Sequence, residues 1–315
     1  GRVGPALPLL GGIVVGAVAT FAMLAGVSAL PLAIACGDTF VLKPSPIDPS
    51  PSLFMAELLK EAGLPDGVMN VVNGRQETVE QLIDDPRTQA VSFVGSSRVA
   101  QQVYARAAAA GKRVQTFGGA KNHMVVMPDA DTEVVADQLA SSAFGAAGQR
   151  CMAISVAVIV GPTAEPILEK VAERANRIRV GAGITDGTEV GPVVSRAAQE
   201  RIRSSVKAAI ADGARAVVDR STVQVPDFED GYFVGPTVLT DVALTSPAYQ
   251  EELFGPVLVV HRVDTLDEAE EAGELEVIGN REIAASVRLL FDGQDITKLS
   301  EKEMLPWRRR MQIVF

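Results

Sequence analysis

The amino-acid sequence predicts an α/β protein built from parallel sheets with flanking helices. Between residues 39 and 261, short apolar runs of strand length alternate with longer segments whose apolar residues recur at helical spacing. This alternation is typical of βαβ units, in which helices bury both faces of a parallel sheet. The chain has 315 residues, enough for two domains with buried cores. Such sheets bind ligands at the carboxyl ends of their strands, so the pattern favours a soluble enzyme.

The predicted elements follow one another closely. In the first helix, Leu53, Ala56 and Leu59 lie on one face, and the Gly/Pro-rich turn 63–67 ends it. The predicted strands are Thr39–Lys43, Val68–Val72, Ala90–Val94, Arg113–Phe117, His123–Met127 and Met152–Val160. The predicted helices are Pro51–Ala62, Glu77–Ile83, Val99–Ala110, Asp131–Phe144 and Glu165–Ile178.

Composition excludes several classes of function. With 29 basic and 39 acidic residues the formal charge is −10, which argues against a nucleic-acid partner. Two cysteines and two histidines are too few for a disulfide scaffold or for a Cys- or His-rich metal centre. Neither the GxGxxG fingerprint after a strand nor the GxxxxGK[ST] phosphate loop occurs.

An uncharged stretch precedes the first predicted strand. No charged residue occurs between Arg2 and Asp38, and Leu9–Leu30 is long enough to span a bilayer. One interpretation is a transmembrane or signal-like helix, and the other is a buried Gly/Ala-rich segment of a soluble domain. The alternating pattern of the following chain favours the second, and the first stays open.

Cys151 is the candidate nucleophile. It ends the small-residue loop 145–150, in which Gly145 and Gly148 allow close approach of the backbone to a reacting centre. The neighbouring Arg150 is expected to favour the thiolate, so Cys151 should be the more reactive of the two thiols. The alternative is a small buried hydrophobic residue, which is our interpretation of Cys36.

Three further positions suit a dinucleotide. Ser96 lies between a predicted strand and a predicted helix, where backbone N–H groups favour a pyrophosphate. Lys43 ends a strand and is a candidate for a ribose or phosphate contact, and Glu252 could hold a pair of sugar hydroxyls. Each has an ordinary alternative: a helix N-cap, a surface lysine and an exposed turn carboxylate.

Taken in order, these motifs resemble the aldehyde dehydrogenase superfamily. The motifs are Val41–Ser45 (VLKPS), Phe93–Ser96 (FVGS), Gly118–Gly119, Gly148–Cys151 (GQRC) and Glu252–Pro256 (ELFGP). Gly118–Asp131 (GGAKNHMVVMPDAD) and Arg150–Val156 (RCMAISV) resemble the CoA-acylating branch that oxidises methylmalonate and malonate semialdehyde. The resemblance runs from about Pro31 to Glu268, roughly three quarters of the chain.

The resemblance implies an NAD-dependent oxidation to an acyl-CoA through a thioester on Cys151, with CoA as co-substrate. It places Arg150 on the substrate carboxylate. The cofactor-binding residues it implies are Lys43 at the adenine ribose, Ser96 at the pyrophosphate, Gly118 beside the nicotinamide, Glu252 at the nicotinamide ribose, and Phe254 in the same motif.

Three positions depart from the pattern of the superfamily. Pro46 replaces a Glu that contacts ribose, and Thr20 falls on the Asn that donates its amide to the oxyanion. Thr116 occupies the position of the Glu that acts as general base toward water in hydrolytic members. Since a threonine hydroxyl is no base near neutral pH, we expect CoA rather than water to release the thioester.

The resemblance also divides the chain. We expect residues 1–30 to be a degenerate or foreign apolar segment, 31–117 a partial NAD-binding domain, 118–268 a partial catalytic domain, and 269–315 a foreign tail, so that the fold is incomplete at both ends. Leu290–Met304 and Arg308–Phe315 resemble a fragment of a peptide ABC transporter ATP-binding subunit without its phosphate loop. The alternative is that the chain is an inactive truncated or chimeric remnant of a dehydrogenase. Such a remnant is either free or attached to a membrane. Members of the family form homo-oligomers, and we expect a cytoplasmic location.

Overall fold

The computed structural model of the chain describes residues 12–16, 29–272, 290–291 and 294–295. These residues form two five-stranded sheets and a two-stranded antiparallel ribbon, Leu290–Phe291 with Gln294–Asp295. Helices follow most strands of both sheets, as the alternating pattern requires. The predicted α/β architecture of parallel sheets with flanking helices is confirmed.

The first sheet is parallel throughout, in the order β3-β2-β1-β4-β5. Its strands are β1 (Gly12–Gly16), β2 (Thr39–Lys43), β3 (Met69–Val71), β4 (Thr88–Val94) and β5 (Arg113–Phe117). Strand β1 is central, since Val14 pairs with both Val41 and Val91. The apolar N-terminal stretch therefore supplies the middle strand of this sheet.

Three helices accompany the first sheet, after a helical segment at residues 29–35: α1 (Ser50–Glu61), α2 (Gln76–Asp84) and α3 (Ser97–Ala109). Phe40 and Leu42 of β2 pack with Leu30 in one cluster, and Phe93 of β4 packs with Val103 of α3 in another. Alternate residues of β2 and β4 thus face buried layers, as a sheet covered by helices requires.

The second sheet has the order β6-β7-β10-β9-β8 and is parallel except for the pair β8–β9. Its strands are β6 (Asn122–Val126), β7 (Ile154–Val160), β8 (Arg215–Asp219), β9 (Thr237–Thr240) and β10 (Val257–Val263). Its helices are α4 (Thr132–Phe144), α5 (Ala164–Arg177), α6 (Arg196–Ala211), α7 (Pro247–Gln250) and α8 (Leu266–Ala272). The larger core lies here, around Leu139, Ile159, Ile167, Ile202 and Leu258.

The element boundaries lie within two residues of those predicted up to residue 178. Shifts of two residues occur at the starts of β4, α3 and β7. Strand β7 begins at Ile154 instead of Met152 because residues 151–152 form a turn. Cys36 contradicts our interpretation as core: the helical segment ends at residue 35, and Cys36 lies exposed in the following turn.

Parts of the predicted ends lie outside the described residues. Of Leu9–Leu30 only residues 12–16 and 29–30 are described, and of the tail 269–315 only 269–272 and the ribbon. In the described part of the chain no helix is long and apolar enough to cross a membrane. The boundary that we propose between residues 117 and 118 falls between the last strand of the first sheet and the first strand of the second.

Truncation of Leu139 tests the position of the larger core. Leu139 of α4 is fully buried, so Leu139→Ala should lower the free energy of unfolding by about 2–5 kcal/mol through lost burial and a residual cavity. Val134 of the same helix is 56% exposed, and Val134→Ala should change it by less than about 0.5 kcal/mol. Urea unfolding of both variants measures the difference, and equal losses would contradict the assignment.

Candidate active site

The candidate nucleophile follows a strained loop. Residues 145–148 form a short 3₁₀ turn after α4, in which Ala146 and Ala147 have φ angles of +52° and +55°. Non-glycine residues rarely adopt this left-handed backbone, and such strain persists only where neighbouring contacts impose it. The Gln149 side chain supplies one such contact, since its Oε1 accepts from Val194 N at 2.8 Å.

Gly148 brings this loop against the segment that carries Glu252. A Cβ built on Gly148 would lie 2.1 Å from the carbonyl oxygen of Gly255, and the φ angle of Gly148 is +68°. Only glycine meets both conditions without rearrangement. The close approach predicted at Gly148 is thus made to the backbone of a second segment, and it places the Cys151 loop beside Glu252–Pro256.

Asn122 holds the backbone on the other side of the nucleophile. Its Nδ2 donates to Cys151 O at 2.5 Å and to Ala153 O at 3.0 Å. Asn122 lies at the start of β6, where the register against β7 is irregular. This side chain therefore fixes the turn between Cys151 and the strand that follows it.

The turn that follows β5, at Gly118 and Gly119, lies beside both Ser97 and Glu252. A Cβ on Gly118 would lie 2.9 Å from Ser97 Oγ, and one on Gly119 would lie 2.5 Å from Glu252 Oε2. Gly119 N donates to Ser97 Oγ at 3.0 Å, and Ala120 N–H donates to the Glu252 carboxylate. The turn after β5 thus joins the start of α3 to Glu252.

Ser96 and Lys43 lie at the same edge of the first sheet, where β4 and β2 end. Ser96 is the N-cap of α3, and its exposed side chain makes no capping hydrogen bond. The buried Lys43 ammonium donates to Pro44 O and to Gly74 O, the latter at 3.0 Å, and burial lowers its pKa. Two of its three N–H donors are therefore engaged by the protein.

The residues at this edge fit NAD. At Gly118–Gly119 a Cβ would collide with Ser97 and Glu252, so this glycine turn lets both side chains approach its backbone closely. Ser96 presents a hydroxyl and the first N–H groups of a 13-residue helix, which suit a pyrophosphate. Lys43 and Glu252 offer a donor and an acceptor for ribose hydroxyls. No GxGxxG turn is needed for this arrangement.

The electrostatics at Cys151 differ from our expectation. Burial raises the pKa of the Cys151 thiol, and the nearby Glu252 carboxylate raises it further. Burial likewise raises the pKa of Glu252, against the lowering effect of the Ala120 N–H, Arg201 and Lys121. The prediction that Arg150 favours the thiolate is wrong in this structure. The Arg150 guanidinium lies over Gly145, where a Cβ would be 2.7 Å from its Nη1.

The remaining predicted positions fall at different places. Phe254 is half-buried, has a φ angle of +49°, and lines a small cavity together with Lys121, Arg150 and Glu252. Arg150 also lines a cavity of about 390 Å³ beside it. Pro46 is exposed directly after the buried Ser45. Thr20 lies outside the described residues.

Three residues that position this site were not assigned from the sequence: Ser97, Lys121 and Asn122. Lys121 donates to Ala248 O and Glu251 O, and burial lowers its pKa to about 8. All three stand within or beside motifs already noted, but their hydrogen-bond partners lie 22 to 130 residues away in the chain.

Substitution of Gly148 separates backbone strain from steric collision. Left-handed strain alone should cost an alanine about 1–2 kcal/mol. Gly148→Ala should lower the free energy of unfolding by more than this, because its Cβ also meets Gly255 O. The matched control is Gly111→Ala, with φ +70° and nothing within 4 Å of the Cβ, which should cost only the strain. Urea unfolding and Cys151 alkylation would both change most for Gly148→Ala, and equal effects would refute the close contact.

Alkylation tests the pKa of Cys151. Its raised pKa means that less thiolate is present at neutral pH than for an ordinary cysteine, so iodoacetamide at pH 7.5 should label the exposed Cys36 first. Glu252→Gln removes a carboxylate that raises this pKa, so the midpoint of Cys151 labelling should move to lower pH. Glu251→Gln is the neighbouring control and should leave the midpoint in place, as measured by mass spectrometry across pH 7–10. If the midpoint of Cys151 labelling moved to lower pH in Glu251→Gln but not in Glu252→Gln, the role of Glu252 would be contradicted.

Comparisons with known proteins find relatives along most of the chain. The model of the aldehyde dehydrogenase family matches residues 13–279, a wider range than the resemblance we noted from Pro31 to Glu268. The malonate-semialdehyde dehydrogenase of Pseudomonas aeruginosa is 46% identical over 240 residues, covering 76% of this chain and 48% of the relative. The mitochondrial methylmalonate-semialdehyde dehydrogenase (acylating) of Arabidopsis thaliana is 47% identical over 239 residues, 76% of this chain and 39% of the relative.

Solved structures show the same fold. The methylmalonate-semialdehyde dehydrogenase DddC from Oceanimonas doudoroffii superposes with a TM-score of 0.79 at 47% identity, over 83% of this chain and 54% of that one. A betaine aldehyde dehydrogenase from Staphylococcus aureus in complex with NAD⁺ superposes with a TM-score of 0.77 at 29% identity, over 83% and 52%. The chain spans about half the length of the curated relatives it matches. With a family match over most of its residues, the chain belongs to the aldehyde dehydrogenase family.

Proposed function

We propose that this chain carries the nucleophile and part of the NAD site of a CoA-acylating semialdehyde dehydrogenase, acting on methylmalonate or malonate semialdehyde. The observation that carries the proposal is the junction at Gly148 and Gly255. It brings the loop before Cys151 against the segment of Glu252, whose carboxylate lies beside Gly119 and raises the pKa of the Cys151 thiol. The names of the relatives cited above point to the same reaction and substrates.

Cys151 is suited to covalent catalysis once it is ionised. Its thiolate would attack the aldehyde carbon and hold the acyl group as a thioester after oxidation. The Cys151 backbone N–H can donate to the developing oxyanion, and Asn122 keeps this turn in place through the Cys151 carbonyl. Bound NAD supplies the acceptor for the hydride that the oxidation releases.

Arg150 is available for a substrate carboxylate. It lies between two cavities, the small one beside Glu252 and the cavity of about 390 Å³ that Arg174 and Arg177 also line. In the described part of the chain no acidic side chain forms an ion pair with Arg150, whereas Arg174 is paired with Glu133 and Asp137. A planar guanidinium without such a partner can bind a carboxylate in bidentate fashion.

Thr116 favours release by CoA. It lies on β5, paired with Phe93 of β4, two residues before the Gly118–Gly119 turn. Its hydroxyl cannot act as a base near neutral pH, whereas the thiol of CoA is itself a strong nucleophile when ionised. A second candidate is hydrolysis with Glu252 as base, favoured by the influence of this carboxylate on Cys151 and by its raised pKa.

Other properties of the whole protein are proposals as well. The oligomer known from the family, the division into NAD-binding and catalytic portions, and the foreign origin of the tail stay predictions. We retain a cytoplasmic location as a proposal, although the Arabidopsis relative is named mitochondrial. An inactive remnant is the alternative that the following measurement decides.

NADH formation with methylmalonate semialdehyde, with and without CoA, tests the function. We expect a single-turnover burst without CoA and sustained turnover when CoA is added, because water finds no base at Thr116. Cys151→Ser should lower both phases by about 10⁴-fold or more, since it removes the nucleophile. Cys36→Ser is the matched control and should leave both unchanged. Equal steady rates with and without CoA would instead support hydrolysis through Glu252, and no burst at all would support the inactive remnant.

A further inference from the structure

Lys121 joins two segments that are far apart in the chain. Its Nζ donates to Ala248 O and to Glu251 O, both at 2.9 Å, across 127 and 130 residues of sequence. These carbonyls belong to the short helix α7 (Pro247–Gln250) and to the residue just after it. Carbonyls at a helix end have no partner within the helix, and a lysine is a suitable donor to them.

The contacts of Lys121 continue a row of contacts made by its neighbours. Gly119 lies against the Glu252 carboxylate, and the Ala120 N–H donates to it. Lys121 then holds the carbonyl of Glu251, the residue immediately before Glu252. Residues 119–121 thus contact both the side chain of Glu252 and the backbone immediately before it.

We propose that Lys121 is a positioning residue, which fixes the 248–252 segment against the turn at residues 118–120 so that the Glu252 carboxylate stays at the cofactor side of Cys151. The importance of this placement for catalysis rests on the proposed function, in which Glu252 binds the nicotinamide ribose. Lys121 itself touches neither substrate nor the reacting atoms in this assignment.

The protonation of Lys121 predicts how the closure of the 248–252 segment depends on pH. Burial lowers the pKa of Lys121 to about 8, against the raising effect of Glu252 and Glu251. When the segment opens, Lys121 meets water and regains the ordinary value of 10.5. Between these values the open state binds more protons than the closed one, so closure becomes more favourable as pH rises from 8. The neutral amine still has two N–H donors for the two carbonyls.

Other titratable groups face the same region. His123 donates to Lys121 O through Nδ1, and burial lowers the pKa of His123, which favours its neutral form. Cys151 and Tyr249 have raised pKa values, and their ionisation at alkaline pH opposes closure. Arg201 also acts on Glu252, whose pKa it lowers. These groups are the same in the wild type and in a variant that changes Lys121 alone, so a difference between the two pH profiles reports on Lys121.

Amide hydrogen exchange of residues 246–253 in the ligand-free chain tests the proposal. Lys121→Met should speed exchange there about tenfold at pH 7.5, the loss expected when hydrogen bonds from a buried cation are removed. In the wild type, protection corrected for intrinsic exchange should rise above pH 8 by up to about tenfold per pH unit. Lys121→Arg, which stays charged, should not show this rise.

Lys112→Met is the matched control, since the Lys112 ammonium also donates to a backbone carbonyl, that of Asp85, away from the site. It should leave exchange of residues 246–253 unchanged. Unchanged exchange in Lys121→Met, or the same pH profile in the wild type and Lys121→Arg, would overturn the proposal. If Lys121→Met fails to fold, as judged by circular dichroism, the comparison of the wild type with Lys121→Arg decides.

NADH fluorescence titration then connects the segment to the proposed cofactor site. Lys121→Met should weaken binding about tenfold while Lys112→Met leaves it unchanged, consistent with loss of a hydrogen-bonded arrangement around Glu252. Absence of NADH binding by the wild type would contradict the proposed function, while the exchange data would still decide the role of Lys121. Binding by Lys121→Met equal to the wild type would show that Lys121 does not position Glu252 for the cofactor.

Discussion

The contact between Gly148 and Gly255 is the constraint on which the geometry of the candidate site depends. A Cβ on Gly148 would meet Gly255 O, and a Cβ on Gly255 would meet Ile202 Cδ1 at 2.5 Å. The backbone of Gly255 is therefore held between the nucleophile loop and the larger core. Because Ile202 is fully buried, the loop cannot move toward that core without disturbing it. This packing explains how a loop with two left-handed alanines remains in place before Cys151.

The same contact places charges together whose effects oppose one another. Glu252 and Cys151 would repel if both were ionised, and in the ligand-free chain the pKa values of both are raised. Hydrogen-bond donors at the Glu252 carboxylate favour its ionised form. Contacts made to the Glu252 carboxylate therefore bear on the ionisation of Cys151. Lys121 and the Ala120 N–H already act in this way from the protein side.

Local patterns were enough to predict most elements and several site residues. Strands such as β4 and helices such as α3 follow from hydrophobic spacing and turn residues, and the motif around Cys151 lies within seven residues. The roles of Asn122 and Lys121 could not be predicted in this way, because each depends on carbonyls 29 to 130 residues away. Cys36 failed for a related reason: its small apolar neighbours suggested a core, but the end of the helical segment at residue 35 turns it outward.

The N-terminal stretch shows why composition alone left two interpretations open. Strand β1 (Gly12–Gly16) lies in the middle of the first sheet, between β2 and β4. The central strand of a parallel sheet is covered by helices on both faces, so it is built as a continuous apolar run without the alternation of a half-exposed strand. A lipid-facing segment obeys the same rule, since both environments exclude charge. What separates them is the pairing of the backbone, which in β1 is made to β2 on one side and β4 on the other. That pairing depends on strands that follow tens of residues later, and no window of the N-terminal sequence contains it.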